Sequence, residues 1–332
     1  MREPSFWWRD AGAAAGLLSP VAALYGAVAA HRMAQPGRRI GAPVICVGNL
    51  TLGGAGKTPA AIALARLLQA EGARPVFLTR GYGGSLAGPV EVSGAHAASE
   101  VGDEPLLLAR VARTIVARDR VAGALAALAA GADIIVMDDG FQNPALAKTF
   151  SLIVVDGRRG IGNGRVFPAG PLRAPLDRQI DRTQALLIVG EPGPAAQPPL
   201  AAARERGRAV LAGRLVPDAQ AVARLKGRPA LAFAGIADPE KFFATLRDAG
   251  IAVAATQAFP DHHRLSAAEA DDLVTRAQRA DLALVTTEKD LARMHGDDAT
   301  ATLARRALSL PITLVFDDEK TLERLLDTIR SA

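Results

Sequence analysis

Residues 48–59 read GNLTLGGAGKTP and close on a Gly-Lys-Thr triplet, the ending of a phosphate-binding loop. In the strict pattern, G-x-x-x-x-G-K-[ST], backbone N–H groups wrap phosphate oxygens. The lysine reaches the terminal phosphates and the hydroxyl meets magnesium. Gly56, Lys57 and Thr58 supply this ending, but Thr51 stands where the first glycine belongs. The expectation is an ATP site built from Thr51, Gly53, Gly54, Ala55, Gly56, Lys57 and Thr58, with an altered first turn.

Five other stretches carry chemistry. The run IIVMDDGFQ ends a hydrophobic strand on Asp138 and Asp139. Carboxylates at a strand tip hold Mg2+ directly or through water, with Thr58 as a third oxygen; the plain alternative is a solvated Asp-Asp-Gly turn. In VGDEP (101–105), Asp103 and Glu104 begin a helical segment, where a carboxylate could accept a hydroxyl proton or simply favour the helix N-terminus. Residues 156–178 hold five arginines among glycines and prolines, a flexible loop or a cradle for an anionic substrate. FPDHHRLS (259–266) places His262 and His263 after a strand. Cysteine ligands and an H-x₃₋₅-H spacing are missing, so His262 reads as the partner of an acidic group and not as a zinc ligand. TTEKD (286–290) is a strand-to-helix junction with Thr287 as cap and Lys289 as an anion contact, or no more than a helix start.

These residues need a scaffold. Short β-branched runs at 43–49, 75–79, 114–118, 133–139, 151–156 and 185–190 alternate with helical stretches, and the segment after Lys57 has apolar residues at helical spacing up to Gly72. This predicts an α/β fold: a P-loop NTPase-like, mostly parallel sheet flanked by helices, with a second, smaller α/β domain. The expected division is an N-terminal membrane-associated helix over 1–40 and a nucleotide-binding domain over 41–205. A connection over 206–228 then leads to a closing domain over 229–332.

The 332-residue chain has a formal charge of +5 and a pI near 9.8, favouring acidic partners, although abundant Ala and Arg also fit a genomic composition bias. Aromatics at 4% and no zinc-finger or aromatic RNA-binding signature argue against nucleic acid. One cysteine, Cys46, rules out an internal disulfide framework. Residues 11–30 carry no charge. A spanning helix, a signal peptide, a core helix and an interfacial helix all compete for this stretch. Leu17, Leu18, Val21, Leu24, Tyr25 and Val28 form one apolar stripe, with Trp7, Trp8 and Arg9 on one flank and Arg32, Arg38 and Arg39 on the other, which suits a membrane surface.

Taken in order, GNLTLGGAGKTP, RGYGG, GDEP, DDGFQ, GNGRVFPAGPLR, FAGIADPEKFF and FPDHH resemble the tetraacyldisaccharide 4′-kinase family over most of the chain. The resemblance implies transfer of the ATP γ-phosphoryl to the 4′-hydroxyl of tetraacyldisaccharide 1-phosphate, the lipid A precursor. The setting would be the cytoplasmic face of a Gram-negative inner membrane. It implies Lys57 and Thr58 as P-loop residues, Asp138 and Asp139 as the magnesium-linked pair, Asp103 as catalytic base and His262 as its dyad partner. Arg80, Asn163, Arg165 and Arg173 are further substrate-binding candidates. Two departures stand out: Ala174 where the family usually has glutamate after P-L-R, and Leu265 where an aromatic is common. The competing class is a P-loop nucleotide switch or assembly factor, though no N-K-x-D string for guanine is present.

Overall fold

The computed structural model describes residues 3–330. A 22-residue helix α1 (Ala13–Ala34) precedes the sheet. The chain then lays down β1 (Val44–Asn49), the phosphate loop and α2 (Lys57–Ala70), followed by β2 (Pro75–Thr79), β3 (Val90–Glu91), β4 (Thr114–Val116) and β5 (Ile134–Asp138). Next come β6 (Phe150–Asp156), β7 (Ala185–Val189) and β8 (Ala209–Pro217). A second unit follows with β9 (Ala230–Ala234), β10 (Val253–Ala258), β11 (Ala283–Thr286) and β12 (Leu308–Ser309), before β13 (Ile312–Phe316) and the helix Glu319–Arg330.

The large sheet has the order β13-β8-β7-β6-β1-β5-β2-β4-β3; the small one is β10-β9-β11-β12 and parallel throughout. In the large sheet only the edge strands β3 and β13 run antiparallel to their neighbours. The inner strands β1, β5, β6 and β7 are buried along their whole length, as their unbroken apolar runs require when helices cover both faces. On one face α2 and the helix Glu319–Arg330 pack through Leu64, Leu68, Leu322 and Leu326. On the other lie Met33 of α1, Ala124 and Ala127 of the helix Arg120–Ala129, and Leu200 and Ala203. β1 sits between β5 and β6, so loops leaving it and β5 open at the carboxyl ends of the strands where ligands collect.

Sheet membership departs from the division expected from sequence. β8 lies in the span 206–228 that reads as a connection, yet pairs in parallel with β7. β13 lies in the span assigned to the closing domain, yet pairs antiparallel with β8 in the large sheet. A long-range strand pairing of this kind leaves no local mark in the chain.

α1 buries only a row of small and narrow residues, Ala15, Ala22 and Gly26, together with Met33. A Cβ on Gly26 would already lie 3.5 Å from Pro175 and 3.6 Å from Val166, which is why the helix can settle so close to the arginine-rich loop. Tyr25 and Trp7 meet Phe167 edge-on from two sides. Its opposite face leaves Leu17 82% and Leu24 70% exposed, with Val21 and Val28 also outside. This distribution is not that of a core helix.

Candidate active site

Gly56 caps α2 with φ +88°, a conformation that places Lys57 and Thr58 in the first helical turn. Pro59, two residues into the helix, has no N–H to lose there. Thr51 is buried and bridges Leu172, while Leu52 N–H donates to Pro171 O at 2.8 Å and Arg173 N–H to Leu50 O at 2.9 Å. The first turn of the loop is thus bonded to the arginine-rich segment instead of closing tightly on itself. Gly53 takes φ +97°, a conformation that L side chains rarely adopt, and the Glu3 carboxylate lies against it.

At the tip of β5, Thr58 Oγ1 donates to Asp138 Oδ2 at 3.2 Å, and Asp138 Oδ1 is buried without a partner. Burial, and then the Glu104 charge, push the Asp138 carboxyl up to about 7. An orphaned carboxylate oxygen beside a hydroxyl at a phosphate loop is the donor set that a hard dication satisfies. Asp139 adopts φ +55°, uncommon for a non-glycine residue. Its carboxylate takes Arg173 Nη1 at 2.7 Å and Nη2 at 3.3 Å, with Lys57 Nζ at 3.8 Å. Burial favours the neutral acid, but Lys57 and Arg173 outweigh it and hold Asp139 well below the usual carboxylate range.

Both units supply the rest. Asp103 opens the helix Asp103–Leu108 and is 3% exposed. His262 Nδ1 lies 3.2 Å from its Oδ2, although 159 residues separate them. Burial opposes the charged forms of both groups. Their mutual bond prevails, lowering Asp103 far below its ordinary value and raising His262 above its own. Arg293 also contributes to the lowering of Asp103. His262 has φ +56°, donates its backbone N–H to Gly235 O at 3.0 Å and packs against Tyr82 at 4.9 Å between ring centroids. Arg264 reaches Gly83 O at 2.9 Å, so the RGYGG string is the seat on which the histidine turn rests. His263 points elsewhere, to Glu269 at 3.0 Å, with its ring stacked on Phe259.

Lys289 pairs with Glu104 across the same junction, and Ala237 of the second unit lies 3.5 Å from where a Cβ on Gly54 would be. Glu104 and Lys289 both act electrostatically on Asp138, so the Asp138 and Asp103 sides share one cleft. On its far side Arg158 and Arg159 pair with Asp238, and Lys241 with Asp156.

The remaining candidates separate. Arg173 is committed to Asp139 and to Thr51 O at 2.9 Å. The Asn163 amide donates to Phe6 O and Ala169 O and accepts from Arg165 N–H, so it ties the N-terminal turn to the arginine loop. Arg165 reaches Ser19 of α1 at 2.7 Å, and Arg80 lies exposed just after β2. Ala174 is fully buried and its carbonyl accepts from Gln179 Nε2 at 2.7 Å; Leu265 packs in the second unit's core. Sequence reasoning passed over Arg293, Tyr82 and the pairing of Glu104 with Lys289. The strings RGYGG, GDEP and TTEKD contained three of these residues, but nothing local marked them as neighbours.

A family model described as Tetraacyldisaccharide-1-P 4′-kinase matches residues 14–330. Among relatives, a tetraacyldisaccharide 4′-kinase of Rhodopseudomonas palustris (strain BisB18) is 57% identical, aligning 97% of this chain with 94% of that protein. One of Methylobacterium sp. (strain 4-46) is 60% identical over 94% of each. The solved structure of LpxK from Aquifex aeolicus in complex with ATP superposes with a TM-score of 0.70 at 25% identity, covering 95% of this chain and 99% of that one.

Proposed function

The chain belongs to the tetraacyldisaccharide-1-P 4′-kinase family, and from that premise we propose how its own residues carry the reaction. The activity is ATP-dependent transfer of a phosphoryl group to the 4′-hydroxyl of the tetraacyldisaccharide lipid A precursor.

The loop from Thr51 to Gly56 and the N-terminus of α2 hold the phosphates through backbone N–H groups, and Lys57 neutralises charge on the group in transfer. Thr58 and Asp138 would hold Mg2+, with Asp139 beside them, and the ion would supply charge neutralisation at the β- and γ-phosphates. Asp139, fixed by Arg173, keeps Lys57 directed at the loop. Asp103 accepts the proton of the 4′-hydroxyl as that oxygen bonds to the γ-phosphorus and the bond to the β-phosphate oxygen breaks. His262 orients the carboxylate from the other domain.

The observation that carries this reading is the bond between Asp103 and His262, a buried and a half-buried polar side chain that meet from the two units of the chain. α1 lies in the cytoplasmic surface of the inner membrane through Leu17, Val21, Leu24 and Val28, where an acylated acceptor is found. The test is transfer of label from γ-labelled ATP to tetraacyldisaccharide 1-phosphate with detergent-solubilised protein. A lipid product that disappears with Asp103→Ala supports the assignment; undiminished transfer by that variant removes Asp103 from its role.

A further inference from the structure

Arg293, on the helix Glu288–Arg293, is 7% exposed, and its guanidinium is spent in two directions. Nε donates to Asp103 Oδ2 at 3.1 Å and Nη2 donates to the same oxygen. Nη1 donates to Asp290 Oδ1 at 2.8 Å and to the carbonyls of Gly235 and His263, each at 3.2 Å. Gly235 O also accepts the backbone N–H of His262, and His263 is the next residue along. One planar fork therefore fixes the carboxylate of the dyad directly and the left-handed turn of its histidine through the backbone. A lysine could reach one of these groups as a point charge but could not span them.

The bonding around Asp103 is also asymmetric. Oδ2 is taken by His262 and twice by Arg293, whereas Oδ1 accepts only the Glu104 backbone N–H at 2.9 Å. An ionised carboxylate oxygen offers about two lone pairs, so the free acceptor direction belongs to Oδ1. We propose that Arg293 is a positioning residue for phosphoryl transfer: it clamps Asp103 Oδ2 against His262, leaving Oδ1 as the oxygen that receives the acceptor hydroxyl's proton. The inference rests on Asp103 being the base. In the step, the hydroxyl oxygen bonds to the γ-phosphorus, the bond to the β-phosphate oxygen breaks and the hydroxyl proton passes to Oδ1.

The charged groups facing Asp103 are His262 and Arg293, then Lys289, with Glu104 beside it and Asp261 and Asp290 behind the cations. Burial favours the neutral form of this carboxyl and Arg293 opposes it, so losing the guanidinium moves its titration upward.

The experiment compares wild type, Arg293→Gln, Arg293→Lys, Asp103→Asn and the double variant Arg293→Gln/Asp103→Asn, full length in detergent micelles, with ATP binding measured by calorimetry as a check on folding. Arg293→Gln is expected to lower kcat about 10- to 100-fold, with KM for ATP and lipid near wild type and the acid limb of the kcat–pH profile raised by about one unit or more. Arg293→Lys should keep the limb and recover part of kcat. The double variant should be no slower than Asp103→Asn alone, since the arginine acts through the carboxylate. Unchanged kcat and limb in Arg293→Gln, an effect confined to KM, lost ATP binding in both Arg293 variants, or a further loss in the double variant overturns the proposal. A fully active Asp103→Asn instead removes the base assignment on which it rests, a result distinct from an active Arg293→Gln beside an inactive Asp103→Asn.

Discussion

Thr58 Oγ1 and Asp138 Oδ2 lie 3.2 Å apart, joining the first turn of α2 to the tip of β5 and leaving Asp138 Oδ1 buried and unpaired. Burial and the Glu104 charge leave this carboxyl poised between neutral and charged forms.

From this follows a stability effect with a defined sign. Asp138 titrates near 7 in the folded chain against an ordinary 3.8, so between those values the folded state holds the extra proton. Its contribution to stability is present below about pH 4 and is lost as pH rises towards 7. Asp138→Asn should raise the Tm of metal-free protein at pH 8, by about 2–4 °C for each kcal/mol relieved, with little change at pH 4. The same variant should lose the Mg2+-dependent rise in Tm and most of the kinase activity. Calorimetric scans with and without Mg2+ check both; equal Tm values at pH 8 would contradict the buried-charge argument.

Asp103 and His262 give a second expectation. His262→Ala should slow transfer by about 10²-fold, and Asp103→Ala by about 10²- to 10⁴-fold. Removing the imidazole takes away a bond that keeps Asp103 ionised, so the acid limb of kcat should move to higher pH. A pH–rate series from 5 to about 9 reads the shift, and an unmoved limb would separate the histidine from the base.

Arg173 tests how the arginine loop divides its work. Its guanidinium is engaged with Asp139 and the Thr51 carbonyl, both at the phosphate loop. Arg173→Ala should therefore raise KM for ATP several-fold while leaving KM for the lipid near wild type. Steady-state kinetics with each substrate varied distinguishes this from a direct lipid contact, which would show the reverse.

The exposed face of α1 makes a fourth. Replacing Leu17 and Leu24 by Ser removes apolar side chains that are mostly outside the fold, so Tm should stay within about 1–2 °C. Burying a leucine is worth about 1.5–3 kcal/mol, so vesicle binding in co-sedimentation should weaken by at least about tenfold. Undiminished binding would mean that another surface meets the membrane.

Much of the candidate site was legible in the chain because it is local. Gly56-Lys57-Thr58 between a buried strand and an amphipathic helix, two carboxylates ending β5 and an alternation of strands with helices each follow from backbone conformation and side-chain period within a dozen residues. The apolar stripe of α1 was equally plain, since its residues share one helical face. What the sequence determined by itself was thus the glycine-lysine-threonine loop, the acidic pair at the strand tip and the α/β class. The tertiary structure alone decided which distant residues meet. Thr51 is held by Leu172, Arg173 serves Asp139, β13 returns to β8, and Arg293 closes on Asp103 from 190 positions away. Such pairings depend on how two sheets pack and which buried charges must be compensated, and an arginine that satisfies a buried carboxylate reads in sequence like any arginine on a helix.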